Sequence, residues 1–150
     1  IPIFQSSNMS MGVAVLNDLA QRAAAALWPC DVEIVEKHHR MKVDAPSGTA
    51  MTLAHLIREA TGADAPFVYG RSPQSPPRGP QEIGLHAVRG GTLVGEHSVY
   101  FILDDEVIEL KHSAQSRAVF AHGAVRAIRF IAGRGPGLFG MKELLAGDNA

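Results

Sequence analysis

The chain predicts an α+β fold: a mixed, mostly antiparallel sheet of about four strands with helices packed on one face. Three observations carry this expectation. Residues 32–37, 83–89, 94–103 and 106–112 alternate apolar and polar side chains or run apolar, as strands do. Residues 12–28, 49–61 and 117–132 repeat apolar side chains at helical spacing instead. The last three strand segments also follow one another across short connections marked by Gly90-Gly91 and by Asp104-Asp105, the layout of an antiparallel meander.

Taken in order, Ser10 is placed to cap a first helix over residues 12–28, whose apolar face is Val13, Leu16, Leu19, Ala20, Ala23 and Leu27, with Pro29 beyond its end. A strand over residues 32–37 follows, and His38 and His39 fall at its end, where the pleat turns neighbours to opposite sides. Ser47 and Thr49 are candidate caps of a second helix, in which Leu53, Ala54, Leu56, Ile57 and Ala60 keep helical spacing until Gly62 stops it. Residues 63–81 hold Pro66, Pro73, Pro76, Pro77 and Pro80 among Gly, Ser and Gln, which predicts a long surface loop without regular structure. After the meander, Val119, Phe120, Ala124, Ala127, Ile128 and Ile131 predict a helix interrupted by Gly123, and a short helix over 141–146 closes the chain. A sheet covered on one face leaves the other to bury, and pairing sheets between subunits would do so, so a homo-oligomer is expected.

Composition bounds the function. The 150 residues are 46% hydrophobic, enough for one domain with a core. Mixed charges summing to −1 give no electrostatic footprint for nucleic acid or an anionic membrane. Cys30 stands alone, so no intrachain disulfide forms, and no apolar run reaches the roughly 18 residues of a membrane span. A cytoplasmic setting follows as the expectation. The opening Ile1-Pro2-Ile3-Phe4-Gln5 has neither an initiator methionine nor the charged and apolar regions of a signal peptide, so the chain reads as part of something longer.

The chemistry is expected in the run from Glu33 to Ala50. It joins a histidine pair, a lysine four residues after His38, and a Pro-Ser-Gly-Thr helix opening. Imidazole exchanges protons near neutrality, and an ammonium holds an anion or gives up a proton when its pKa is lowered. The N–H groups and positive dipole end of the helix opening favour a carboxylate or phosphate, and Gly48 removes the side chain that would keep one away. An anionic substrate is predicted.

Two other patterns are set aside. Gly135-Pro136-Gly137-Leu138-Phe139-Gly140 matches the letters of a dinucleotide fingerprint, yet follows a helical pattern rather than a strand, and is expected to be a helix-ending turn. His86, His97 and His112 lie on successive predicted strands without a recognised ligand spacing, so no metal site is expected. A metal-dependent hydrolase using His38, His39 and Asp44 is the least favoured alternative, because adjacent strand histidines diverge.

The segment Glu36-Lys37-His38-His39-Arg40-Met41-Lys42-Val43-Asp44-Ala45-Pro46-Ser47-Gly48-Thr49-Ala50 resembles the signature Glu-x-His-His-x-x-Lys-x-Asp-Ala-Pro-Ser-Gly-Thr-Ala of dihydrodipicolinate reductase, a nicotinamide-dependent enzyme of the diaminopimelate route to lysine. Asn8-Met9-Ser10-Met11-Gly12-Val13, His86-Ala87-Val88-Arg89-Gly90-Gly91, Val94-Gly95-Glu96-His97 and Ser116-Arg117-Ala118-Val119-Phe120-Ala121-His122-Gly123-Ala124 are similar to further blocks of that family.

The resemblance implies the C-terminal portion of an NAD(P)H-dependent reductase. Residues 1–11 would leave an absent Rossmann domain, 12–113 would bind substrate and form a tetramer, and 114–150 would be a helical return segment. By matching position, His38 is implied as the acid/base residue and Lys42 as a second proton donor. His39, Gly48 and Thr49 become substrate contacts, and Ser7, Asn8 and Met9 contacts of the cofactor, NADPH or NADH. The substrate implied is a small cyclic dicarboxylate. Alone, the chain is expected to be inactive, and a non-catalytic assembly and dicarboxylate-binding module is the main alternative.

Overall fold

In chain order the elements are β1 (Pro2–Phe4), α1 (Met11–Leu27), β2 (Asp31–His38), α2 (Gly48–Thr61), β3 (Phe67–Tyr69), β4 (Ile83–Arg89), β5 (Gly95–Ile102), β6 (Val107–Ala114), α3 (Ala118–Ile131), β7 (Gly137–Phe139) and α4 (Met141–Gly147). The computed structural model describes residues 1–147 and divides them into two units, one of residues 1–15 with 116 onward and one of residues 16–115.

The larger unit holds a five-stranded mixed sheet in the order β3-β4-β2-β5-β6. β3, β4 and β2 run parallel, β5 is antiparallel to β2, and β6 is antiparallel to β5. β2 alternates strictly, with Val32, Ile34, Glu36 and His38 buried. Its apolar half meets Leu16, Ala20 and Ala24 of α1, and Leu53, Ala54 and Ile57 of α2, so both helices cover one face of the sheet. Fully buried side chains such as Ile34, Leu53, Ile57 and Phe101 each contribute roughly 1.5–3 kcal/mol by leaving water. The α+β class therefore holds, with one strand more than expected.

The caps follow the sequence. Ser10 Oγ accepts from the Val13 N–H at 3.3 Å, and Ser47 Oγ accepts from the Ala50 N–H at 3.2 Å, which makes Ser47 rather than Thr49 the cap of α2. Gly62 ends α2 in the left-handed region at φ 66°, where a side chain would be strained.

The meander needs correction. Only β5 and β6 form a hairpin, while β2 lies between β4 and β5. The connection 90–94 crosses the end of β2, where the Gly90 N–H donates to the His38 carbonyl at 3.0 Å and the Arg40 N–H to the Gly91 carbonyl at 3.2 Å. Burial explains the placement: Ile83, Gly84 and Leu85 are consecutively buried, which suits an inner parallel strand rather than a hairpin arm.

The proline-rich stretch also departs from expectation. Between Pro66 and Pro73, residues 67–69 form β3, tied to β4 by Ile83 N–H to the Pro66 carbonyl and Gly70 N–H to the Leu85 carbonyl. Prolines flank the three residues without interrupting them. The rest of the loop is anchored by Arg71 to Glu82 and by Arg78 to Glu33 and Asp31.

In the smaller unit β1 and β7 form a parallel pair, with Phe130 of α3 meeting Phe4 and Phe139 edge-on. Residues 137–139, expected as a turn, are thus a strand. Gly123 does not interrupt α3. A Cβ there would lie 1.7 Å from the Met9 carbonyl oxygen, so the glycine permits close backbone approach inside a continuous helix.

Candidate active site

The site is built around a carboxylate in an unusual place. Glu36 occupies the buried phase of β2 and is fully inaccessible to solvent, which is costly for a charge unless it is paired and hydrogen-bonded. It is both. Its Oε2 receives Arg89 Nη1 at 2.7 Å and His38 Nδ1 at 2.6 Å, while Oε1 receives Arg89 Nη2 at 2.7 Å and the Ser47 N–H at 2.9 Å. Burial pushes the carboxyl upward in pKa, but these hydrogen bonds from Arg89, His38 and Ser47 outweigh it and hold Glu36 below its ordinary range.

Strand pairing explains how distant residues meet. β4 lies parallel to β2 in a register that sets Arg89 beside His38. β5 sets His97 beside Glu36, and His97 in turn pairs with His112 on β6. The His38 and His97 rings meet edge-on with centroids 5.2 Å apart. His97 Nε2 lies 3.0 Å from Ser47 Oγ, while its buried Nδ1 has no partner among the described residues. Burial, then repulsion from His38, drives its pKa down to about 4, so His97 is neutral near pH 7.

An ionised carboxylate can only accept hydrogen bonds, so His38 Nδ1 must carry a hydrogen. The atom that exchanges a proton is then Nε2. It lies where a Cβ on residue 95 would approach to 3.0 Å, and Gly95 keeps that space open.

His39 follows the strand half-buried, and the Lys42 N–H donates to its carbonyl to close a turn. Lys42 Nζ lies 2.8 Å from Asp44 Oδ1, and this ammonium holds the Asp44 carboxyl below the usual range. At the opening of α2, Gly48 is exposed and a Cβ there would meet no atom within 4 Å. Thr49 stands next to it, half-buried. The structure thus brings His38 to the α2 opening through Glu36 and places His39, Lys42, Gly48 and Thr49 on the adjoining loop and helix start. Ser7, Asn8 and Met9 belong to the smaller unit, in a turn where Asn8 Oδ1 accepts from the Ser10 N–H and Ser6 Oγ donates to the Asn8 carbonyl.

The three strand histidines lie on two faces. His97 and His112 are register partners on the helix-covered face, and His86, opposite Val35, lies on the other, with Nε2 2.6 Å from Glu33 Oε2. A cleft of about 430 Å³ opens beside the connection 90–94, lined by residues such as Thr92, Glu96 and Gln115. None of the expected site residues lines it.

The family model described as dihydrodipicolinate reductase, C-terminus, matches residues 12–145. The chain belongs to the dihydrodipicolinate reductase family. It is 53% identical over 145 residues to the 4-hydroxy-tetrahydrodipicolinate reductase of Caldanaerobacter subterraneus subsp. tengcongensis, with 97% of this chain and 58% of that protein covered. To the reductase of Brachyspira hyodysenteriae it is 47% identical over 146 residues, covering 97% and 63%. Among solved structures, the dipicolinate-bound dihydrodipicolinate reductase from Paenisporosarcina sp. TG-14 superposes with a TM-score of 0.71 at 26% identity, over 91% of this chain and 52% of that one. The chain thus spans about six-tenths of the length of these sequence relatives and corresponds to the C-terminal part of the reductase family.

Sequence reading missed Glu36, Arg89 and His97 as members of the site. A signal for Glu36 existed: in β2 it shares the phase of Val32 and Ile34, and a carboxylate in a buried phase demands a cationic partner.

Proposed function

We propose that this chain is the substrate-binding and assembly portion of an NAD(P)H-dependent reductase of lysine biosynthesis that acts on a small cyclic dicarboxylate. The observation that carries the reading is the fully buried carboxylate of Glu36, which holds both the His38 ring and the Ser47 N–H at the α2 opening. A proton donor and an anion-binding mouth are tied together.

In this reading the α2 opening at Gly48 and Thr49, with His39 and Lys42, binds and neutralises the carboxylates of the substrate. His38 Nε2 supplies the proton that balances hydride addition to the ring, and Lys42 serves as the second donor. The reduced nicotinamide, when bound, supplies the hydride. Ser7, Asn8 and Met9 would meet it, since their turn is fixed by its own hydrogen bonds and leaves Ser7 exposed. Phosphate cradling belongs elsewhere in the longer protein: Gly137 begins a strand here, whereas the fingerprint glycines follow one.

The domain division is part of the same proposal. Residues 1–11 leave the nucleotide-binding domain, 12–113 bind substrate and assemble, and 114–150 return. A lone parallel pair such as β1–β7, with Ile3 and Leu138 exposed, is a sheet that needs further strands and covering layers. A homotetramer is supported by the sheet face opposite the helices, where Lys37, Glu96 and Lys111 set both charge signs in one patch suited to self-complementary pairing. A cytoplasmic setting fits the buried free Cys30, and among the described residues no helix is long and apolar enough to cross a membrane.

Calorimetry with pyridine-2,6-dicarboxylate, with and without reduced nicotinamide dinucleotide, tests this on the full-length protein. The dicarboxylate should bind more tightly in the presence of the dinucleotide. Binding unaffected by the dinucleotide supports an assembly and dicarboxylate-binding module instead, and no binding at all contradicts both.

A further inference from the structure

A guanidinium has five N–H groups, and Arg89 uses all five inside the protein. Nε donates to the Lys42 carbonyl at 3.3 Å, Nη1 to Glu36 Oε2 at 2.7 Å and the Val88 carbonyl at 2.8 Å, and Nη2 to Glu36 Oε1 at 2.7 Å and the Asp44 carbonyl at 2.7 Å. No donor is left for an incoming carboxylate. Arg89 therefore does not clamp substrate, although it stands within the site.

Glu36 is saturated in the same way. Its two oxygens accept four hydrogen bonds, from two Arg89 nitrogens, His38 Nδ1 and the Ser47 N–H, which fills the roughly four lone-pair sites of a carboxylate. Stability alone is a weak reason for such an arrangement, because a buried ion pair is often replaced by apolar residues at little cost. Position is the stronger reason. Two of the acceptors of Arg89 are the carbonyls of Lys42 and Asp44, which frame the lysine of the proposed reaction.

We propose that Glu36 and Arg89 are positioning residues: a saturated, buried pair that fixes the His38 ring through Nδ1, the α2 opening through the Ser47 N–H, and the Lys42 turn through two carbonyls. The proposal rests on the reading of His38 as the proton donor. Glu36 keeps hydrogen on Nδ1 in both protonation states, so Nε2 is always the atom that gives up and regains the proton. Without that carboxylate a neutral imidazole is free to adopt either tautomer. The charged or titratable groups shown at the ring are Glu36 on its own strand, which binds Nδ1, Arg89 on β4, which shares the same carboxylate oxygen, and His97 on β5, which meets the ring edge-on. Of these, Glu36 alone hydrogen-bonds the His38 side chain among the described contacts.

The test uses the full-length reductase with Glu36→Gln and Arg89→Lys, read by steady-state kinetics across pH and by nitrogen-15 NMR of the imidazoles. In the parent protein the neutral His38 ring should show the Nδ1–H tautomer. Glu36→Gln should lose about tenfold or more in kcat, since a misaimed acid forfeits part of general acid catalysis. It should also let the neutral His38 ring take up the Nε2–H tautomer. Arg89→Lys, which offers three donors for five acceptors, should raise KM as the Lys42 turn loosens.

A folded Glu36→Gln with parental kcat and an unchanged tautomer overturns the proposal. If that variant fails to fold, an Nε2–H tautomer in the parent protein, or Arg89→Lys with parental kcat and KM, overturns it equally. His38→Gln in the same assay separates the two levels. Normal turnover in His38→Gln defeats the reading of the acid, whereas loss there with no effect of Glu36→Gln on kcat or tautomer defeats only the positioning role.

Discussion

Replacing His38 with Gln in the full-length reductase is expected to lower turnover by on the order of a hundredfold or more, and Lys42→Ala to lower it on the same scale, the range of general acid catalysis. The two losses have different origins. His38 sits 9% exposed at the end of β2 with Nδ1 committed to Glu36, so its free nitrogen has one direction in which to deliver a proton. Glutamine is close in size and keeps a hydrogen-bonding end, but it carries no exchangeable acid near neutral pH, so the substitution separates chemistry from packing. Lys42 is held by Asp44 at 2.8 Å and by the hydrogen bonds that Arg89 makes to the Lys42 and Asp44 carbonyls. In the proposed reading, removing its ammonium takes away both a donor and a positive charge for the anionic substrate, so KM should rise along with the fall in kcat. Steady-state kinetics of the two variants checks both, and near-parental kcat in either one removes its assigned role.

The chain should also lose stability on mild acidification, between about pH 6.5 and pH 4. His97 has an ordinary value of 6.5 in the unfolded chain and about 4 in the folded one, because burial and the neighbouring His38 disfavour its charged form. Between those values the unfolded state binds one more proton than the folded state, so unfolding free energy falls as pH falls. The difference amounts to roughly 3 kcal/mol when the whole interval has been crossed. His112, lowered by burial, acts in the same direction. Glu36 adds a later step, since its folded value is depressed and its contribution is lost as pH falls below the ordinary carboxylate range. Urea unfolding at pH 7, 5.5 and 4.5 would show a falling midpoint. His97→Gln should flatten the upper part of that dependence, and a slope unchanged by this substitution contradicts the assignment.

The sequence made some of this legible and hid the rest for a definable reason. Local patterns were readable: strict alternation in β2, the helical spacing and Ser47 cap of α2, and the histidine pair at the strand end all lie between residues 31 and 61. What could not be read was strand order. Ile83-Gly84-Leu85 suits either a hairpin arm or an inner parallel strand, and only the second choice sets Arg89 against Glu36 and puts β2 between β4 and β5. Two partners of Glu36 and His38, Arg89 and His97, come from other strands, at separations that no short motif records. Gly123 misled for a related reason. Its lack of a side chain serves a backbone contact with Met9 rather than a break in the helix.

The most direct measurement is a crystal structure of the full-length protein with pyridine-2,6-dicarboxylate bound. The account predicts one carboxylate at the α2 opening on the Gly48 and Thr49 N–H groups, Lys42 on the ligand, and the ring edge facing His38 Nε2. A dicarboxylate bound with neither carboxylate at that helix opening, and with His38 turned away from its ring, would contradict it.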